Sequence, residues 1–160
     1  MMLNKIIDDY VVSDQIEEND IKKIKEAGFK TILCNRPDGE ELNQITVKSI
    51  QDESTNNGIN FIHQPVIGGQ LTKKDIEDFT HHFKSAEKPI FAYCRTGTRC
   101  SMLWALSESG KRSIDEILQL TSAAGYNLSN ATILSYANYH ESLEIVSRFY
   151  PLCGSIEVYG

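Results

Sequence analysis

Four short apolar runs, each followed by a stretch of different periodicity, constrain the fold of this chain more than any other feature. The runs are Tyr10–Ser13, residues 29–35, residues 59–66 and Ile90–Tyr93. Their length and continuous apolar character predict strands buried on both faces. Between the first two, Ile16, Ile21, Ile24 and Ala27 recur on one helical face, and Gly28 stands where a C-capping glycine belongs. Residues 44–57 predict a second, weakly amphipathic helix stopped by Asn56-Asn57-Gly58. Thr72 predicts the N-cap of a helix over residues 73–86, with Ile76, Phe79 and Phe83 on its buried side. Strands joined by helices of this length imply right-handed crossovers and a mostly parallel sheet covered on both faces. The expected fold is therefore a three-layer α/β arrangement. Ligands bind such sheets outside the carboxyl ends of the strands, which gathers residues 36–41, 67–71 and 94–99 at one rim.

The last of these loops carries the chemistry. Ile90-Phe91-Ala92-Tyr93 leads into Cys94-Arg95-Thr96-Gly97-Thr98-Arg99, and a helix is expected from Arg99 through Leu106. A sulfur at a strand end, facing the N–H groups of a helix N-terminus, sits in an anion cradle. The helix dipole and neighbouring cations, here Arg95 and Arg99, favour thiolate over thiol. Gly97 permits a tight turn, and Thr96 and Thr98 bring hydroxyls. The plainer reading is a buried cysteine in an ordinary strand-to-helix turn. Two arginines, two threonines and a glycine within six residues make a poor core segment, which favours a nucleophile in an oxyanion-binding loop.

The rest of the composition narrows the function classes. At 160 residues, with 41% hydrophobic and 24% charged residues, the chain is expected to form one domain over residues 1–160. A formal charge of −6 argues against a nucleic-acid surface, so anion binding must be local. No apolar run approaches the roughly 20 residues of a membrane span. The N-terminal Met-Met-Leu-Asn-Lys-Ile-Ile-Asp-Asp turns acidic before a signal core could form, and a cytoplasmic location is expected. The four cysteines, Cys34, Cys94, Cys100 and Cys153, are too scattered for a disulfide scaffold and have no zinc-ligand spacing. His63, His81, His82 and His140 fall on different elements. Neither metal nor cofactor is expected, and the partner sought is a small anionic substrate or a phosphorylated molecule.

From about Ser113 the chain reads as helical. Ser113 with Glu116 predicts a capping box, and Ile114, Ile117, Leu118 and Ala124 give an apolar face. A further helix is expected over residues 131–149, with Ile133, Tyr136, Ala137, Leu143 and Ile145 as its packing side and Pro151 beyond its end.

Four separated motifs carry a resemblance. They are Asn35-Arg36-Pro37-Asp38-Gly39-Glu40, His63-Gln64-Pro65-Val66, Ala92 through Arg99 followed by Leu103-Trp104-Ala105-Leu106, and Ala124-Gly125-Tyr126. In this order they resemble the bacterial phosphatase-like domain of beta-lactamase hydrolase-like proteins, a relative of tyrosine and dual-specificity phosphatases. The resemblance covers residues from about 5 to 128 and leaves a helical extension over about 129–160. It implies a central sheet flanked by helices, with Cys94 and Arg99 as catalytic candidates; Asp38 is the nearest candidate for the acid, and Arg95, Thr96, Gly97, Thr98 and Arg36 are substrate-binding candidates.

The pattern also departs from that of tyrosine phosphatases. Tyr93 stands where they carry His, and four residues rather than five separate Cys94 from Arg99. A loop of this length is similar to that of rhodaneses, which carry a sulfane sulfur on cysteine. The loop Ile67-Gly68-Gly69-Gln70 lacks the acid that dual-specificity phosphatases usually place there, which leaves Asp38, equally readable as a turn residue between Pro37 and Gly39. Three functions stay open at this point. The first is a phosphatase working through a cysteinyl-phosphate, the second a sulfurtransferase working through a Cys94 persulfide, and the third an inactive anion-binding module. Cys100 stands where relatives carry serine. It reads either as an isostere in the helix packing or as a thiol able to capture an oxidised Cys94.

Overall fold

In the computed structural model, which describes residues 1–130 and 132–134, the apolar runs lie side by side in one five-stranded sheet. The strands are β1 (Asn4–Ile7), β2 (Tyr10–Ser13), β3 (Thr31–Cys34), β4 (Asn60–His63) and β5 (Ile90–Tyr93). The helices are α1 (Glu18–Glu26), α2 (Val47–Asn56), α3 (Lys73–Ser85), α4 (Thr98–Glu108) and α5 (Ile114–Ala123). Across the sheet the order is β1-β2-β5-β3-β4, with β1 antiparallel and the rest parallel.

Register decides where the site lies. Ser13 pairs with Tyr93, Tyr93 with Cys34, and Cys34 with His63, so the four parallel strands end level with one another. The residues that follow emerge together at one rim. Backbone bonds continue the ladder past the strand ends, from Asn35 N–H to Tyr93 C=O (2.9 Å), from Gln64 N–H to Cys34 C=O (2.9 Å) and from Val66 N–H to Asn35 C=O (3.1 Å).

Alternation along the strands builds two cores. Tyr10, Val12, Leu33, Ile90 and Ala92 pack with Ile76, Phe79, Leu103, Trp104 and Ile117 of α3, α4 and α5. Val11, Ile32, Cys34, Phe91 and Tyr93 pack with Ile21, Ile24, Val47 and Ile50 of α1 and α2. A large apolar side chain buried in this way contributes roughly 1.5–3 kcal/mol, so the two faces hold the sheet and leave the rim loops free to carry function. Helix α4 is buried on nearly every side, from Cys100 through Glu108. That makes it a rigid support for the loop at its N-terminus.

Several elements differ from the sequence reading. The runs at residues 29–35 and 59–66 shorten to four-residue strands, and β4, on the sheet edge, is half-buried to exposed rather than fully buried. Strand β1 was not expected, because only Ile6 in it is buried and its polar residues gave no alternation to read. Ala27 is the exposed C-cap of α1, while Gly28 takes the left-handed φ of +94° that ends the helix. Thr72 and Asp75 close a reciprocal capping box on α3. At α5 only half of the expected box forms. Ser113 accepts from the Glu116 N–H, but the Glu116 carboxylate is drawn to Arg112 (2.6 Å). Ile133 is buried against the first core. The rest of the helix expected over residues 131–149, with Tyr136, Ala137, His140, Leu143 and Ile145, and with Pro151 and Cys153 beyond it, lies outside the described residues.

Candidate active site

Strand β5 delivers Cys94 to the centre of the rim, where its N–H still bonds to Ser13 C=O (3.4 Å). The chain then turns through Arg95 and Thr96 to Gly97, the N-cap of α4, at φ +92°. This conformation aims the Gly97 N–H back at Cys94 Sγ, 3.1 Å away. The position admits no side chain. A Cβ there would lie 2.7 Å from Tyr126 Cζ, closer still to its hydroxyl, and 2.9 Å from Val12 Cγ1.

Cys94 is 1% exposed, yet its thiol pKa is brought down to about 5. The Cys100 thiol, hydrogen-bonded to the Cys94 sulfur, contributes most. Burial opposes it, and the backbone N–H groups of Cys100, Thr96 and Gly97 add to the lowering. Cys100 moves the opposite way, raised by its own burial and by the bond it donates. The sequence reading credited the helix dipole together with Arg95 and Arg99. The structure adds a neighbouring thiol as the leading cause, keeps the backbone dipoles, and ranks them above the arginines, whose forks bond to carboxylates. Tyr93 cannot stand in for the missing histidine. Strand alternation turns it to the other face of the sheet, where it hydrogen-bonds Cys34.

The arginines are held by two adjacent carboxylates, Glu40 and Glu41, which the sequence reading placed at the rim but gave no role. Arg99 Nη1 donates to Glu40 Oε1 (2.7 Å) and to Val66 C=O (2.8 Å), and Nη2 donates to Glu40 Oε2 (2.8 Å). Arg36 Nε donates to the same Glu40 Oε2 (2.9 Å) and its Nη1 to Gln15 Oε1 (2.9 Å). Its Nη2 forms an ion pair with Glu41 Oε2 at 3.0 Å, without good hydrogen-bond geometry. Arg95, 61% exposed, reaches Glu41 Oε1 at 2.7 Å. Both carboxyls are held below the usual range, Glu40 by Arg99 foremost and Glu41 by Arg36.

The expected residues therefore fall into two groups. Cys94, Arg95, Thr96, Gly97, Thr98 and Arg99 form one loop. Thr96 and Thr98 share a hydroxyl contact at 3.1 Å. Arg36 is near but only 2% exposed, locked behind Glu40 and Glu41. Asp38 is exposed, and its Oδ1 accepts from the Val47 N–H (2.8 Å) at the start of α2, so its contact is with that helix and not with the cysteine loop. Beside the loop opens a cleft of about 520 Å³, whose walls include Gln15, Glu17, Glu18, Glu41, Arg95 and Thr96. Glu40 stood in a quoted motif and both glutamates in a rim loop beside Arg36, but their bonds to Arg99 and Arg95, like that between Gln15 and Arg36, join separate loops and left no local signal.

The family profile of the beta-lactamase hydrolase-like protein, phosphatase-like domain, matches residues 2–111. The chain belongs to this family. Among its relatives is the Beta-lactamase hydrolase-like protein of Xylella fastidiosa strain Temecula1, 31% identical over 148 residues, which are 91% of this chain and 34% of that protein. The homologue from Agrobacterium fabrum is 33% identical over 115 residues, 71% of this chain and 27% of its own length. The chain thus spans about a third of the length of the curated relatives it matches. A Neisseria meningitidis protein, described as a phosphatase candidate, is 38% identical and superposes with a TM-score of 0.76 over 86% of this chain and 98% of its own. The catalytic core of the Saccharomyces cerevisiae PP-IP phosphatase Siw14 shares the fold, with a TM-score of 0.66 at 15% identity over 94% of both chains. Among the described residues no helix is long and apolar enough to cross a membrane.

Proposed function

We propose that this phosphatase-like domain hydrolyses phosphomonoesters through a cysteinyl-phosphate on Cys94. One observation carries the reading, namely a cysteine sulfur ringed by backbone N–H groups at the head of a buried helix, with Gly97 N–H at 3.1 Å. Such a ring stabilises the attacking thiolate and then the charge that develops on the phosphoryl oxygens. Cys94 Sγ attacks phosphorus and the phosphorus–oxygen bond of the leaving group breaks. The loop amides, the Thr96 and Thr98 hydroxyls, Arg95 and Arg99 hold the equatorial oxygens. Arg36 acts through Glu40 and Glu41, as a positioning residue. Asp38 protonates the leaving oxygen, which requires its carboxyl to exchange the Val47 bond for the substrate. Water then cleaves the phosphorus–sulfur bond, and the Cys100 thiol stabilises the departing Cys94 thiolate.

Sulfur transfer is the second reading, favoured by the four-residue span from Cys94 to Arg99. There the thiolate attacks the outer sulfur of thiosulfate, the sulfur–sulfur bond breaks and sulfite leaves. Cyanide then takes the sulfur from the persulfide and restores the thiolate. Assaying one purified sample with an aryl phosphate, and separately with thiosulfate plus cyanide, tests both readings. Phosphate release with no thiocyanate is the expected result. Thiocyanate alone would overturn the phosphatase reading in favour of the second, and neither product would leave an anion-binding module.

A further inference from the structure

The fourth motif of the chain, Ala124-Gly125-Tyr126, has no part in the chemistry above, yet it reaches the back of the cysteine loop. Helix α5 ends at Ala123, Gly125 adopts φ +94°, and Tyr126 N–H bonds back to Thr121 C=O at 2.8 Å. The turn points the Tyr126 side chain, only 8% exposed, under the loop. Its hydroxyl donates to Thr96 C=O (3.3 Å) and accepts from Asn4 Nδ2 of β1 (2.8 Å).

Thr96 C=O and Gly97 N–H belong to one peptide plane, and in a trans peptide they point in opposite directions. One end of this peptide is gripped by Tyr126 and the other lies on the Cys94 sulfur. We propose that Tyr126 is the positioning residue of the cysteine loop, the middle of a hydrogen-bond relay running from Asn4 through Tyr126 and the Thr96–Gly97 peptide to Cys94. The relay fixes the tilt of the peptide, and each bond polarises the next. It also explains why Gly97 tolerates no Cβ, since the tyrosine ring occupies that space. The inference rests on Cys94 being the nucleophile, and it holds for phosphoryl or sulfur transfer alike.

The test reads the thiolate directly. Alkylation of Cys94 by iodoacetamide, followed by mass spectrometry between about pH 4 and pH 8, gives the midpoint at which the thiolate forms. The other titratable groups around Cys94 are Cys100 and Arg99 of α4, Tyr10 of β2 and Cys34 of β3. Tyr126→Phe keeps them all and removes one oxygen. The expected result is a midpoint raised by about half to one pH unit, with kcat lowered about three- to tenfold and KM little changed. A packing role alone would leave the midpoint where it is, so an unchanged midpoint in a folded variant overturns the proposal. Should the Phe variant not fold, Asn4→Ala decides, because it keeps the tyrosine ring and cuts the far end of the relay. A smaller upward shift supports the proposal and none overturns it. Failure of the phosphatase reading shows separately, as a wild-type protein that alkylates normally but releases no phosphate.

Discussion

The two loops that meet at Arg99 are built by opposite means. The cysteine loop relies on backbone. Gly97 in the left-handed region, three N–H groups and a buried helix hold one sulfur, with only the Cys100 thiol added. The loop over residues 35–41 relies on side chains. Glu40 and Glu41 hold Arg36 within their own loop and reach across to Arg95 and Arg99, through ion pairs of 2.7–3.0 Å. Backbone dipoles are fixed once the fold forms, whereas charged side chains at a rim are screened and adjustable. One loop therefore holds the thiolate, and the other sets where the cations stand around it.

The sharpest way to break this contrast is to remove the sulfur. Cys94→Ser should reduce turnover to background with little change in melting temperature, since the replacement is nearly isosteric. Retention of more than a few per cent of activity would remove Cys94 from the mechanism. In wild type the thiolate persists above its pKa of about 5 and is lost as pH falls through that value, so activity should show an acidic limb there.

Gly97→Ala attacks the backbone side of the comparison. The positive φ and the overlap with Tyr126 and Val12 should together cost roughly 2–5 kcal/mol of stability and most of the activity, read by thermal unfolding and kinetics. A variant as stable as wild type would contradict the geometry of the loop.

On the side-chain half, Arg99→Lys keeps the charge but loses the fork that Glu40 holds at both oxygens, and should lower kcat/KM about a hundredfold. Glu40→Gln leaves the fork and weakens its grip, with an expected loss of about tenfold. Equal losses in the two variants would mean that Glu40 does more than orient Arg99.

The smallest effect belongs to Asp38→Asn. As the acid, it should slow alkyl phosphates severalfold more than aryl phosphates, whose leaving groups need little protonation. As the partner of Val47 N–H alone, it should slow both equally and lower the unfolding free energy of the domain by less than about 1 kcal/mol.

The same contrast marks what was legible in the sequence. Continuous apolar runs and a single glycine announce strands and a turn by their own chemistry, so β2, β5, the Gly97 turn and the cysteine loop were readable residue by residue, and β3 was readable apart from its ends. Strand β1 was not, because it owes its place to pairing with β2 and buries only Ile6. The roles of Glu40, Glu41 and Gln15 escaped for a related reason. Each has a partner in another loop, and the local pairing of Glu40 and Glu41 with Arg36 does not by itself announce their bonds to Arg99 and Arg95. Tyr126 was singled out within a motif, but its partner Asn4 is 122 residues away, beyond the reach of any local pattern.

The chain of ion pairs at the rim has a last consequence, for how an anion is received. Arg36, Arg95 and Arg99 are already matched by Glu40 and Glu41. An anion that reaches Arg95 or Arg99 must displace or share those carboxylates, so an exchange of partners at the rim, and not the bare charge of the arginines, sets how firmly it is held.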